Sequence, residues 1–150
     1  MTDHDKLKEI LQRRLVSLID LSLTLKHVHW NVVGEGFIGV HEMLDPHAQA
    51  VRKMVDDLAE RIATMGGEPI GTPGALVAQR TWDDYPLARA STHAHLAQLD
   101  RTYEGIIADH RAAVRDAADL DPITQDLLIA QTGKLELFRW LVRAHLDKAD

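Results

Sequence analysis

Cysteine is absent from the 150 residues, so neither a disulfide framework nor a thiolate metal site is available. Any bound metal must rest on histidine and carboxylate. No apolar run approaches the roughly 18 residues of a membrane span, and the N-terminus shows no apolar region of the signal-peptide kind. Positive charge is also short: 17 Lys and Arg stand against 23 Asp and Glu, a net charge of −6. Such a surface attracts cations and repels phosphate, which argues against nucleic acid as a general partner. There is no internal repeat, no low-complexity segment and little of the alternation that marks strands. What remains is 45% hydrophobic and 27% charged, ordinary for a globular chain. Its length suits a single domain over residues 1–150 with one core, and a cytoplasmic location is expected.

Helical periodicity fills most of the chain. A first helix is expected from about Asp5 to Trp30, with Leu7, Leu11, Leu15 (or Leu18), Leu21, Leu25 and Val28 near helical spacing and Gly34 and Gly36 closing it. The second runs from about Phe37 to Met65 and stops at Gly66-Gly67. The third spans roughly Leu87 to Ala117, turning Leu96, Leu99, Tyr103, Ile106, Ile107, His110 and Val114 inward. The fourth opens at Asp121-Pro122, an N-cap followed by proline at the first helical position, and ends near Leu146.

The second helix carries two patterns. Leu44, Ala48, Val51, Val55, Leu58 and Ile62 form its core stripe. Beside them His41, Asp45, Asp56 and Glu60 fall at about 0°, 40°, 60° and 100°, one continuous face of metal-ligand types. From His41 to Asp56 is fifteen positions, a rise of about 22 Å. Ligands must lie about 2–2.5 Å from their ion, so the two halves of this stripe cannot close on one metal within a chain. A second copy packed antiparallel about a two-fold axis near Ala50 and Val51 would bring them together, twice over. The competing reading is a solvated acidic face with an incidental histidine.

Short links join helices one to two and three to four, while about twenty residues from Gly66 to Pro86 join the hairpins. A link of that length predicts a short extra helix, at Gly74 to Arg80, and a crossing from one end of the bundle to the other. Short, long, short is the order of an all-α, ferritin-like four-helix bundle with one long crossover. The Glu-x-x-His motif of a di-iron centre inside such a bundle is missing, which fits a site moved to the contact between copies.

His29-Trp30-Asn31 with Gly34, Phe37, His41-Glu42-Met43-Leu44-Asp45, Asp56 and Ala59-Glu60-Arg61 together resemble the signature of the Dps family, the mini-ferritins of starved cells. The likeness covers nearly the whole chain. The linker Gly71-Thr72-Pro73-Gly74, the segment Thr81 to Tyr85 and the last helix are most similar to the actinobacterial branch. The resemblance implies a hollow homododecamer built through two-fold and three-fold contacts. It implies oxidation of Fe(II) at intersubunit di-iron sites, preferentially with hydrogen peroxide, and storage of Fe(III) mineral inside. On matching positions, His29, His41 and Asp45 would come from one subunit and Asp56 and Glu60 from its mate. The carboxylates would hold the first iron and the imidazoles a looser second one, with other divalent cations competing. Trp30, next to the site, would supply or absorb an electron if it is not simply a core aromatic.

Other signals are weaker. Asp116, Asp119, Asp121 and Asp126 cluster at the turn into the last helix, where family members line three-fold pores that admit iron. Asp121 and Asp126 are the candidates here, with capping as the alternative for Asp121. His27, His47, His93, His95, His110 and His145 read as packing or surface residues, and Trp82 and Trp140 as packing residues. Family members that bind DNA use basic tails. Met1 to Leu7 holds only Lys6, and Asp-Lys-Ala-Asp follows Leu146, so DNA binding is expected to be weak or absent. The rival function is a nucleoid-associated protein that covers DNA physically.

Overall fold

The structure is a computed structural model, and it describes residues 1–147. Lys148 to Asp150, most of the acidic segment after Leu146, lie outside the described residues. Among the described residues five helices appear in order: α1 (Asp3–Asn31), α2 (Phe37–Thr64), α3 (Pro73–Gln79), α4 (Thr92–Ala117) and α5 (Pro122–Leu146). Between them, β1 (Val32–Val33) pairs in parallel with β2 (Ala90–Ser91).

Each boundary has a local cause. α1 begins two residues earlier than its apolar repeat suggests, because Thr2 and Asp5 form a reciprocal capping box. It ends before a turn in which Gly34 (φ 96°) and Gly36 (φ 77°) take the left-handed conformation that residues with a Cβ avoid. α5 starts as expected, with the Asp121 carboxylate accepting from the Thr124 N–H and Pro122 following. α3 lies within one residue of expectation, capped by Thr72.

One boundary differs. α4 begins at Thr92 and not at Leu87, so the crossover runs on to Ser91. Residues 87–91 stay out of the helix because their backbone groups are taken elsewhere. Leu87 O accepts from His27 Nε2 at 2.6 Å, Ala88 O accepts from His95 Nε2 at 2.8 Å, and Ala90 and Ser91 pair with Val32 and Val33. The Ser91 hydroxyl then caps Ala94 and starts the helix.

α1 packs on α2 and α4 on α5, and α3 lies against α1. The two hairpins close on one continuous core that includes Leu11, Leu18, Leu25, Leu44, Leu58, Leu99, Leu128 and Leu135, all fully buried. The inner stripes of the helices fall where their periodicity puts them, although Val55, Ile106, Val114, Leu127 and Leu141 are only half-buried. This is the all-α, ferritin-like bundle with one long crossover. Polar groups cross its centre: His110 Nε2 donates to Gln131 Oε1 at 3.0 Å, and Gln131 Nε2 donates to Met54 O at 3.2 Å. No described helix is long and apolar enough to cross a membrane.

Candidate metal centre

Two histidines from different helices are locked face to face. The rings of His29, near the end of α1, and His41, near the start of α2, stack with centroids 3.7 Å apart and planes 12° from parallel. Phe37 stacks on the other side of His41 at 5.1 Å. The hydrogen bonds are reciprocal: His29 Nδ1 donates to His41 O at 2.6 Å, and His41 Nδ1 donates to His29 O at 2.7 Å. A carbonyl can only accept, so Nδ1 carries a proton in both rings and Nε2 is the nitrogen left to bind a metal. Backbone fixing of Nδ1 is the usual way a protein orients an imidazole ligand. Both Nε2 atoms are thereby prepared as nitrogen donors.

Asp45, one turn along α2 from His41, is held by a cation of the chain itself. Lys26 Nζ lies 2.5 Å from its Oδ1. That hydrogen bond is the main reason the Asp45 carboxyl sits below its ordinary range. Lys26 also lies 5.8 Å from the Trp30 ring centroid. Trp30 is 69% exposed, so within the single chain it is not the core aromatic of the alternative reading. His29, His41 and Asp45 do not by themselves draw together as a metal-holding group.

The other half of the stripe does. Among the described residues, Asp56, Asp57 and Glu60 bring carboxylate oxygens within 4.8 Å of one another. Asp57 is the member that sequence reasoning missed: it falls about 60° beyond Glu60 at the edge of the ligand stripe, and its three-residue spacing to Glu60 brings the two side chains together. Its Oδ1 is bonded to Lys53 Nζ at 2.6 Å. α2 is one continuous helix through both halves, with Pro46 between them removing the N–H that Glu42 O would otherwise accept. The histidine end and the carboxylate end of one chain therefore stay about 22 Å apart. The donor set, imidazole nitrogen and carboxylate oxygen without thiolate, fits Fe(II) and Fe(III) as well as other first-row divalent ions.

The acidic turn is less open than its composition suggests. Asp121 Oδ2 takes hydrogen bonds from the Thr124 N–H, the Thr124 hydroxyl and, at 2.7 Å, Arg61 Nη2. Thr124 and Arg61 hold this carboxyl down at about 2. Asp116, Asp119 and Asp126 are exposed. Of the remaining histidines, His47, His95 and His110 are buried, while His93 and His145 are exposed. Trp82 donates to Asp20 at 2.7 Å and is half-buried. Trp140 departs from expectation: it is 62% exposed, at the rim of an open groove that Ile107 and Arg111 of α4 also line.

Bundle order and crossover define a ferritin-like protein, and a family model of the ferritin-like domain matches residues 8–150. A protein of Mycolicibacterium smegmatis named DNA protection during starvation protein is 57% identical over 141 residues, 94% of this chain and 77% of that one. The structure of Mycobacterium smegmatis Dps in its tetragonal form superposes with a TM-score of 0.96 at 54% identity, covering 99% of this chain and 92% of that one. DpsA14 from Streptomyces coelicolor gives a TM-score of 0.96 at 57% identity, with 98% and 88% covered. The chain belongs to the Dps family, on its actinobacterial side.

Proposed function

We propose that this chain is the protomer of a hollow, cytoplasmic homododecamer that oxidises Fe(II) at sites shared between two-fold mates and stores the Fe(III) product as mineral. Hydrogen peroxide is the preferred oxidant, and its consumption protects the cell from oxidative damage. One observation carries this reading: His29 of α1 and His41 of α2 pair with their Nδ1 atoms held by backbone and their Nε2 atoms turned to no partner among the described residues, and about 22 Å along α2 from His41 lies a carboxylate group. Neither half is a complete site alone. An antiparallel mate supplies the missing half to each.

Roles follow from donor chemistry. Asp56 and Glu60 are hard, anionic ligands that suit Fe(II) and hold Fe(III) more tightly. His29, His41 and Asp45 receive the second ion, which must displace Lys26 from Asp45 and is therefore held more loosely. Each of two ferrous ions gives one electron to one peroxide, whose O–O bond breaks with both oxygens leaving as water once protons are taken up. No hydroxyl radical is released. Trp30, exposed beside Lys26, stands as the electron reservoir at the edge of the site. Other divalent cations compete for the same donors. For admission of iron through a three-fold pore, Asp126 is the exposed candidate, and Asp121 serves mainly as the cap and the Arg61 partner.

The name of the Mycolicibacterium relative suggests protection of DNA. A net charge of −6 per chain disfavours coverage of phosphate, so we assign protection to peroxide chemistry. The test is anaerobic loading with Fe(II) followed by hydrogen peroxide, with oxidation read by absorbance. Fast oxidation with iron kept soluble, lost in Glu60→Ala, is the expected result. Equal, slow oxidation in both proteins would reduce the stripe to a polar contact.

A further inference from the structure

The Asp56–Asp57–Glu60 group poses an electrostatic problem before any metal arrives. Three carboxylates offer oxygens within 4.8 Å of one another on α2, and like charges at three- and four-residue spacing repel. Lys53, one turn earlier, lays its ammonium 2.6 Å from Asp57 Oδ1. An ordinary helix-stabilising pair does not account for this placement well. The favourable order puts the acid before the base at four-residue spacing, and here the lysine comes first. The ammonium also feels more than its direct partner: its proton is held by Asp57 first and then, through space, by Asp56 and Glu60. The Lys53 side chain is 69% exposed and free to swing away.

We propose that Lys53 is the resident counter-cation of this carboxylate group, a placeholder that an incoming divalent ion displaces, so that Lys53 sets how tightly and how selectively the first ion is taken up. The proposal rests on the reading that Asp56 and Glu60 bind Fe(II). Uptake is then an exchange. A tethered ammonium is present at high effective concentration, so free sodium or potassium does not replace it at ordinary salt. A divalent ion brings twice the charge and bonds directly to carboxylate oxygen, so it does. Lys53 withdraws with Asp57, and Asp56 and Glu60 are left to the metal.

The test uses Co(II) as the probe, titrated calorimetrically into the intact assembly, with Lys53→Met (same reach, no charge), Lys53→Arg and Glu60→Ala alongside. Lys53→Met should bind Co(II) roughly three- to tenfold more tightly at low salt, from removal of one nearby positive charge. Its Co(II) affinity should fall more steeply with KCl than that of the parent. Its metal-free thermal midpoint should be lower and recover with salt, while Lys53→Arg behaves as the parent. If Lys53→Met matches the parent in affinity and salt dependence while Glu60→Ala loses Co(II), the placeholder is refuted and the metal site stands. If Glu60→Ala binds Co(II) as the parent does, the site reading itself fails and takes the placeholder with it.

Discussion

Acid should weaken this bundle through two core histidines. His47, stacked on Phe138 at 4.0 Å, and His110, bonded to Gln131, are both buried. Burial is the main cause that pushes each down to about 4, with Lys134 adding to the effect at His47. At His110 the Gln131 hydrogen bond opposes the shift and Arg14 adds to it. Unfolded, each returns to about 6.5. The unfolded chain therefore binds more protons between those values, and stability is full above about pH 6.5 and lost as pH falls toward 4. Near pH 5 the loss is about 2 kcal/mol per histidine, so about 4 kcal/mol together, against the 5–15 typical of a whole domain. The assay is the thermal midpoint at fixed protomer concentration near pH 7.5 and near pH 5, for the parent and for His47→Leu/His110→Gln. Glutamine keeps a donor for Gln131 without titrating. At a few degrees per kcal/mol, the parent should drop about 10 °C further than the variant. Equal drops would refute the reasoning.

Three other outcomes follow from the geometry. Lys26→Ala frees Asp45, so occupancy of the second metal position should rise a few-fold in an anaerobic Co(II) titration, with a small loss of stability from a half-buried pair still in reach of solvent. Asp121→Ala removes a helix cap and the Arg61 partner together and should cost about 1–2 kcal/mol in denaturant unfolding, whereas Asp126→Asn should leave stability unchanged and slow Fe(II) uptake. In a gel shift, the protein should leave duplex DNA free at moderate salt, and a retarded, salt-resistant complex would contradict that charge argument.

What the sequence made legible is what helical period and end chemistry encode locally. The α2 core stripe, the Asp121-Pro122 start of α5 and the short helix in the crossover all follow from residues within a turn or two of one another. The late start of α4 was hidden, since it depends on His27 and on Val32 and Val33, more than fifty residues away. The same holds at the candidate site. The spacing of His41, Asp45, Asp56 and Glu60 announces a divided stripe, but nothing in the spacing shows the reciprocal lock of His29 and His41 or the hold of Lys26 on Asp45. Those contacts join α1 to α2 and exist only once the hairpin has closed. Asp57 and Lys53 lie at the edge of the stripe, where three- and four-residue spacing joins Asp57 to Glu60 and Lys53 to Asp57, and a solvated ion pair at that spacing carries no ligand signal of its own.

The division of the site between two chains is most directly tested by complementation. His41→Ala and Glu60→Ala protomers should each oxidise Fe(II) slowly with peroxide when assembled alone. In a mixed dimer, one of the two sites draws His41 from one chain and Glu60 from the other, both intact. Random mixing should therefore restore about a quarter of the parental sites, seen as a fast phase of that amplitude. A mixed assembly as slow as its parents would contradict a site shared across the two-fold axis.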